Sequence, residues 1–254
     1  MENITARTGW DWIKQGFALF KRQPAEMSTL FLSYMLLVML LGFIPLFGQV
    51  LPLVLIPVFS IGFMQACVNI ENQRKVTPRL LGTGFRSPAL RRLLMLGLLY
   101  SVAIALVIAG SSLFDGGVLM SVMSGRSQAN AAESDILPGM LAAMVFYIPA
   151  GMAFWHAAAL VAWHDMPLTK ALFYSFFAVL RTGRAFLVYV LGWAVIGIIL
   201  PVLVATLAGA ITGKAVVSYA ILLPLSLLLT VVVYCSFYPT YVQTFGRDRL
   251  PAAV

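Results

Sequence analysis

Few residues in this sequence carry side chains that could do chemistry in an apolar environment. The histidines are His156 and His164, and His164 is followed directly by Asp165. A histidine beside a carboxylate can act as a general acid or base, and a lipid-modifying enzyme would need such a pair at the membrane face. One adjacent pair is too little to assign catalysis. We therefore predict a non-enzymatic protein without catalytic residues.

The motifs of cofactor-binding and hydrolytic enzymes are missing from the sequence. It contains no Gly-x-Gly-x-x-Gly, P-loop, His-Glu-x-x-His or Gly-x-Ser-x-Gly pattern. Two histidines cannot form a His-rich metal site. Cys67 and Cys235 lie within apolar runs, where a thiol behaves as a small hydrophobic filler. A disulfide would require two distant spans to meet inside the membrane, so we expect no disulfide, no cofactor and no metal.

The composition indicates what kind of scaffold holds these residues. Of the 254 residues, 61% are hydrophobic and 10% are charged, and the mean hydropathy is +0.94. A soluble domain is about 45–50% apolar and about 25% charged. A water-soluble globule and a disordered chain are both excluded. The sequence therefore predicts an integral membrane protein.

Charge-free apolar runs locate the membrane-spanning helices. A helix needs about 20 mostly apolar residues to cross the bilayer, and the sequence predicts six spans, at about 28–47, 50–70, 93–114, 138–163, 185–211 and 215–237. The alternating pattern of a membrane barrel is missing. We predict an all-α fold with a single polytopic domain over 1–254. No cleavage signal precedes the first span, so we expect all residues to remain in the mature protein.

The distribution of basic residues predicts the orientation. All Lys and Arg residues except Arg126 and Lys214 fall on the side of the two termini. Basic residues mark the cytoplasmic side of bacterial inner-membrane proteins, so both termini are predicted to be cytoplasmic. The net charge of +8 then needs no nucleic-acid partner. We expect the bilayer and its anionic headgroups as partners instead.

The residues before the first span form an amphipathic pattern over 8–22. At helical spacing the aromatic and aliphatic side chains fall on one face and the charged ones on the other, with Thr8 and Asp11 as a capping arrangement. Such a helix is typical of the headgroup plane, although the same face could pack on the protein itself. The predicted membrane-surface contacts here and near later spans are Trp10, Lys14, Phe17, Lys21, Arg22, Arg91, Arg92, Arg181 and Arg184.

Short similarities indicate an internal repeat. The stretch 17–21 aligns with 177–181, and 84–92 fits loosely, which predicts three units of a surface helix followed by a helical hairpin. The polar segment 115–137 is predicted to be a flexible external loop. The small residues Ala205 and Gly209 predict close helix packing, either within the chain or in a homo-oligomer.

Several segments resemble a known family. Trp155–Pro167, Lys170–Ser175, Arg181–Tyr189 and the opening Gly9–Phe17 are similar to a family of uncharacterised six-span inner-membrane proteins of Gram-negative bacteria. More distantly, the layout is similar to the membrane domain attached to some glycerophosphodiester phosphodiesterases. The resemblance implies an inner-membrane location and six spans. It implies no activity and no catalytic residues.

Two functions remain for such a chain. The first is a non-enzymatic membrane component that interacts with lipid or protein partners, and the second is a transporter for an apolar or amphiphilic solute. Coupled transport usually places several ionisable groups inside the membrane, whereas here the candidate intramembrane polar site consists of His156 and Gln65. We predict that His156 is neutral, faces the interior and hydrogen-bonds a backbone carbonyl, a hydroxyl or Gln65.

Overall fold

A computed structural model describes residues 4–45, 48, 50–123, 133–247 and 250–252. Within these ranges the regular structure is entirely helical. The helices are α1 (Ala6–Arg22), α2 (Pro24–Gly42), α3 (Val50–Glu71), α4 (Leu90–Asp115), α5 (Val118–Met123), α6 (Glu133–Phe154), α7 (Ala157–Trp163), α8 (Leu168–Arg181), α9 (Gly183–Ala194), α10 (Leu200–Thr212) and α11 (Ala215–Phe245).

Six helical stretches of the described chain are long and apolar enough to cross a membrane. They are α2, α3, α4, α6 with α7, α9 with α10, and α11. Their outer faces carry large exposed apolar side chains, such as Leu36, Leu106 and Leu207. Exposing such apolar faces to water would be unfavourable, whereas the acyl chains of a bilayer can cover them. The predicted all-α six-span class is confirmed.

The sixth span extends beyond its predicted end. The sequence places this end near residue 237, but α11 continues to Phe245. The added turns contain Thr240 and Tyr241, which are both buried, because α11 packs along α1. Burial by a neighbouring helix stabilises turns that are too polar for a hydropathy window.

The first helix also begins earlier than its predicted start. The backbone N–H of Thr5 donates to the hydroxyl of Thr8 at 3.1 Å, and the N–H of Thr8 donates to the carbonyl of Thr5 at 3.0 Å. Thr5 is thus the N-cap residue of this capping box, and Thr8 is the third residue of the helix. The predicted pair of Thr8 and Asp11 is wrong. Asp11 instead forms an ion pair with Lys14.

The contacts divide the chain into two compact units. Unit 1 comprises 1–40, 59–86 and 181–254, and unit 2 comprises 41–58 and 87–180. Unit 1 has an aromatic core that joins α2, α3 and α11. Phe63 stacks on Tyr234 with ring centroids 4.3 Å apart. Phe31 and Tyr34 contact this pair, and Phe59 in turn contacts Tyr34.

Unit 2 is built on α4, which packs along α6 and α7. On its other side, Gly97 of α4 lies against the backbone of Val54, so that any larger residue would collide there. Leu93 and Leu96 of α4 and Leu160 of α7 are fully buried. Small and branched residues thus allow the helices to approach closely.

The layout agrees only in part with the predicted repeat. A short helix precedes the first span (α1) and the fifth span (α8), but two 3-10 turns, Pro78–Gly82 and Gly84–Arg86, precede α4. The surface helix predicted before α4 is therefore two short 3-10 helices and not one continuous helix, because Pro78, Gly82 and Gly84 interrupt this segment. The repeat itself stays a prediction.

The predicted external loop 115–137 is partly helical. Residues 118–123 form α5, and 133–137 belong to α6. Asp115 begins this region, and its carboxylate accepts the backbone N–H groups of Gly117 and Leu119 at 2.9 and 2.8 Å. Residues 124–132, on which the rest of the loop prediction falls, lie outside the described residues.

Two spans depart from regular α-helix. The fifth span contains a π-helical turn, Val195–Ile199, between α9 and α10. Pro201 follows this turn and lacks the N–H that an α-helix would use, so the irregular turn has a local cause. The fourth span is interrupted at Trp155 and His156, between α6 and α7.

Candidate functional site

The helix α1 is held against α9 and α11 by two glycines. A side chain at Gly16 would place its Cβ 2.6 Å from the Cβ of Ser236, and one at Gly9 would collide with the carbonyl of Ala185. Both glycines lie on the same helical face as Trp12, Ile13 and Leu19, which are buried. The apolar face of α1 therefore packs mainly on the protein itself. Of the two interpretations of the sequence pattern, this supports packing on the protein and not a helix lying free in the headgroup plane.

Trp12 fixes the position of α1 more closely. Its indole Nε1–H donates to the Oε1 atom of Gln243 at 2.7 Å, and its ring meets Phe186 and Tyr189 edge-on, with centroids 5.0 and 5.9 Å apart. A buried indole usually finds such a polar partner. The outer face of α1 is thereby held in one orientation.

The predicted surface contacts fall into two groups. Phe17 is half-buried and stacks on Trp193 with centroids 6.0 Å apart, and Arg92 is engaged within unit 2. The others are exposed: Trp10, Lys14, Lys21, Arg22, Arg91, Arg181 and Arg184. Lys21 and Arg22 end α1 just before the first span begins at Pro24, and Arg184 lies at the start of α9, which packs along α1. Unit 1 therefore carries a fixed cationic rim, which we define as Lys14, Lys21, Arg22 and Arg184.

Arg92 is a structural clamp in unit 2. Its guanidinium donates to the backbone carbonyls of Asp165 and Met166 at 2.9 and 3.2 Å and also binds the Asp165 carboxylate. The backbone of Asp165 is left-handed, with φ of 53°. The carboxylate of the His164–Asp165 pair thus helps to hold a strained turn.

The backbone break in the fourth span is bridged by a side chain from α8. The hydroxyl of Ser175 accepts the backbone N–H of His156 at 3.0 Å and donates to the carbonyl of Met152 at 2.9 Å. In a regular helix, these two backbone groups would bind each other. The hydroxyl is therefore inserted into the series of backbone hydrogen bonds of this helix, and this insertion explains the break between α6 and α7.

The two residues of the predicted intramembrane polar site have separate surroundings. His156 is 3% exposed and belongs to unit 2, in agreement with the predicted interior position. Gln65 is buried in unit 1, where its Nε2 donates to the carbonyl of Ala252 at 2.9 Å and to Oδ1 of Asn69 at 3.3 Å. Gln65 thus holds the C-terminal segment against α3, a role that its sequence position did not indicate.

The two cysteines lie closer together than the sequence argument assumed. Cys67 of α3 and Cys235 of α11 are both fully buried free thiols, and the Sγ atom of Cys67 is 3.9 Å from the carbonyl oxygen of Cys235. The second and sixth spans do meet here. The premise that these spans stay apart is wrong, although both residues fill space in the core of unit 1.

A polar cluster that the sequence analysis missed lies at the ends of α3 and α11. The carboxylate of Glu71 binds Arg247 through two contacts of 2.8 and 3.0 Å, and it accepts the hydroxyl of Tyr238 at 2.7 Å. The Glu71 carboxylate raises the pKa of the Arg247 guanidinium through these hydrogen bonds. Arg247 is consequently a permanent cation that is held over the end of α3.

This cluster lines an open cleft beside α1. The cleft contains about 400 Å³ of empty space, part of it open to solvent. Its polar part is formed by Gln15, Arg22, Glu71, Tyr238 and Arg247, and Leu19 and Val242 contribute to its apolar part. It is therefore amphiphilic, with its charges at the ends of the spans.

The comparisons with known proteins agree with this membrane architecture. Over 261 aligned residues, the chain is 41% identical to a probable inner membrane protein of Burkholderia thailandensis, and the alignment covers 98% of this chain and 96% of the relative. The chain belongs to the family of this inner-membrane protein. No family model matches the chain, and no solved structure matches it.

Membership in this family, together with the six apolar helices, makes the chain a multi-pass inner-membrane protein. The relative's name states a location and no activity. The inner-membrane location and the six spans that the resemblance implied are both confirmed.

One signal in the sequence could have revealed the Glu71 cluster. Glu71 directly follows a run of 44 residues without charge, 27–70, and basic residues surround it on the predicted cytoplasmic side. A lone carboxylate at the end of a span requires a cation close by. Which cation binds it could not be predicted, because Arg247 lies 176 residues away in sequence.

Proposed function

We propose that this inner-membrane protein is a non-enzymatic membrane component that engages anionic lipid headgroups through the cationic rim of unit 1. The observation that supports this proposal most strongly is the way α1 is held. Gly9, Trp12 and Gly16 pack against α9 and α11, while the cations Lys14, Lys21 and Arg22 remain exposed. A cation held near an anionic surface contributes about 1 kcal/mol. Because the helix is already ordered, little conformational entropy opposes this attraction.

The proposed orientation places this rim at the cytoplasmic leaflet, with both termini on the same side. The charge asymmetry of the sequence supports it. The short distance in sequence from Arg22 to Pro24, where the first span begins, supports a position at headgroup level. The proposal requires no nucleic acid, metal or catalytic group.

The proposal is tested by lipid selectivity in bilayers. The full chain is reconstituted into mixed phosphatidylglycerol and phosphatidylcholine vesicles, and tryptophan quenching by brominated forms of each lipid is compared. We expect stronger quenching by the brominated anionic lipid, and we expect salt to reduce this preference. A variant with Lys14→Gln, Lys21→Gln and Arg184→Gln should lose most of it. Equal quenching by the two lipids would overturn the proposal.

Transport of an apolar or amphiphilic solute is the second candidate. The interrupted fourth span favours it, because transporters often place helix breaks at their binding sites. At this break the buried His156 meets Ser175 of α8. Uptake of an amphiphilic dye into vesicles that depends on the protein and falls in Ser175→Ala would favour transport over the lipid-engaging function.

A further inference from the structure

We infer that the cleft between α1, α3 and α11 binds the phosphodiester of an anionic phospholipid, with the guanidinium groups of Arg22 and Arg247 as its ligands. This inference rests on the proposed function and assigns it a specific site. The cleft lies entirely within unit 1. It is bounded by the end of α1, the end of α3 and the last turns of α11.

The charges of the cleft match one phosphodiester. Arg22 and Arg247 supply two positive charges and Glu71 one negative charge, so the cleft has one positive charge in excess. Both oxygens of Glu71 already accept hydrogen bonds from Arg247 and Tyr238. A ligand cation would therefore find this carboxylate occupied, whereas a ligand anion would find free donors.

The charged donors of the cleft belong to the two arginines. A guanidinium has five N–H groups, and Arg247 uses two of its nitrogen atoms on Glu71. None of the ion pairs among the described residues includes Arg22. Paired guanidinium groups suit phosphate oxygens, since each can donate two parallel hydrogen bonds. Glu71 holds Arg247 in place before the ligand arrives.

The remaining walls distinguish a lipid from free phosphate. Leu19 and Val242 line the apolar part of the cleft, where the glycerol and the first acyl carbons of a phospholipid would gain burial. The cleft also lies where three spans begin or end, next to Pro24, Glu71 and Phe245. A phospholipid with its headgroup at this level can therefore reach the cleft without leaving the bilayer.

The test compares two arginines of α1, Arg22 in the cleft and Arg7 outside it. Short-chain dihexanoyl phosphatidylglycerol is titrated into the purified full chain in neutral detergent, and Kd is taken from the ligand-induced rise of Tm. Arg22→Gln should weaken binding about tenfold or more, since a charge-assisted hydrogen bond is lost. Arg7→Gln removes the same charge from an exposed position of α1 outside both the cleft and the cationic rim, and it should leave Kd within about twofold. Arg22→Lys, which keeps the charge but not the planar group, should lie between them.

Three outcomes would overturn the assignment or part of it. Equal Kd values for Arg22→Gln and Arg7→Gln would remove the site. Inorganic phosphate or glycerol phosphate binding as tightly as the lipid, with the same dependence on Arg22, would make it a site for free phosphate and not for lipid. The bilayer quenching experiment separates the two proposals. If Arg22→Gln binds dihexanoyl phosphatidylglycerol like the wild type while the wild type still prefers anionic lipid in bilayers, the cleft fails and the proposed function stands.

Discussion

The hydroxyl of Ser175 replaces a backbone hydrogen bond of His156 inside the fourth span. It accepts the N–H of His156 at 3.0 Å, and its own O–H donates to the carbonyl of Met152 at 2.9 Å. In the apolar part of a membrane protein, water is not available to bind these two groups. The break between α6 and α7 is therefore stable only while α8 supplies this hydroxyl.

The first prediction concerns this hydroxyl. Ser175→Ala removes the hydrogen-bond partner of the buried N–H of His156 and of the carbonyl of Met152. We expect the free energy of unfolding to fall by about 1–3 kcal/mol. Thermal unfolding in detergent measures the loss. Thr169→Ala removes an exposed hydroxyl from the same helix and should leave Tm unchanged. If both variants unfold at the same temperature, the bridge does not stabilise the break.

The second prediction concerns the attachment of α1. Gly16→Ala places a methyl group 2.6 Å from the Cβ of Ser236, so α1 must move away from α11 and lose packing, at a cost of about 1–3 kcal/mol. Gly183→Ala is the matched control, because nothing lies within 4 Å of a Cβ at that glycine. The two Tm values are compared. A Gly16→Ala variant as stable as the control would mean that α1 is not held at this point.

The third prediction concerns the ion pair between Glu71 and Arg247. Their side chains are 24% and 63% exposed, so solvent weakens the pair and we expect a coupling energy of about 1 kcal/mol or less. A double-mutant cycle with Glu71→Gln and Arg247→Gln measures it. The coupling should decrease at high salt. Additivity within about 0.3 kcal/mol at low salt would show that the pair contributes nothing.

The fourth prediction concerns orientation. Reporter fusions after Arg92 and at the C-terminus should report the cytoplasm, and a fusion within 124–133 should report the periplasm, because nearly all basic residues lie on the side of the termini. Paired cytoplasmic and periplasmic reporters at each position provide the control. A periplasmic C-terminus would contradict both the orientation and the predicted side of the cationic rim.

The sequence was sufficient to predict the class of fold, because a single property determines it. Runs without charge located all six spans, because each span is a continuous stretch of apolar residues. The end of α11 was missed because its last turns are stabilised by burial against α1 and not by their own hydropathy. Contacts between distant segments leave no such local signal.

The candidate sites show the same contrast between local sequence patterns, which could be predicted, and contacts between distant segments, which could not. The amphipathic pattern of α1 identified its two faces, but the pattern could not decide whether the apolar face meets lipid or protein. Gly9 and Gly16 decide it, through close approach to Ala185 and Ser236. In the same way, Gln65 was recognised as a polar residue in a span, while its partner Ala252 lies 187 residues away. Residue type predicted the need for a partner, and only the fold shows which one is present.

The most direct test of the lipid-engaging function is mass spectrometry of the lipids and small molecules that remain bound after purification of the full chain in mild detergent. We predict enrichment of anionic phospholipid over its share of the source membrane, and loss of this enrichment in the variant with Lys14→Gln, Lys21→Gln and Arg184→Gln together with Arg22→Gln. Retained lipid with the composition of the bulk membrane, or a single non-lipid solute in its place, would contradict the account.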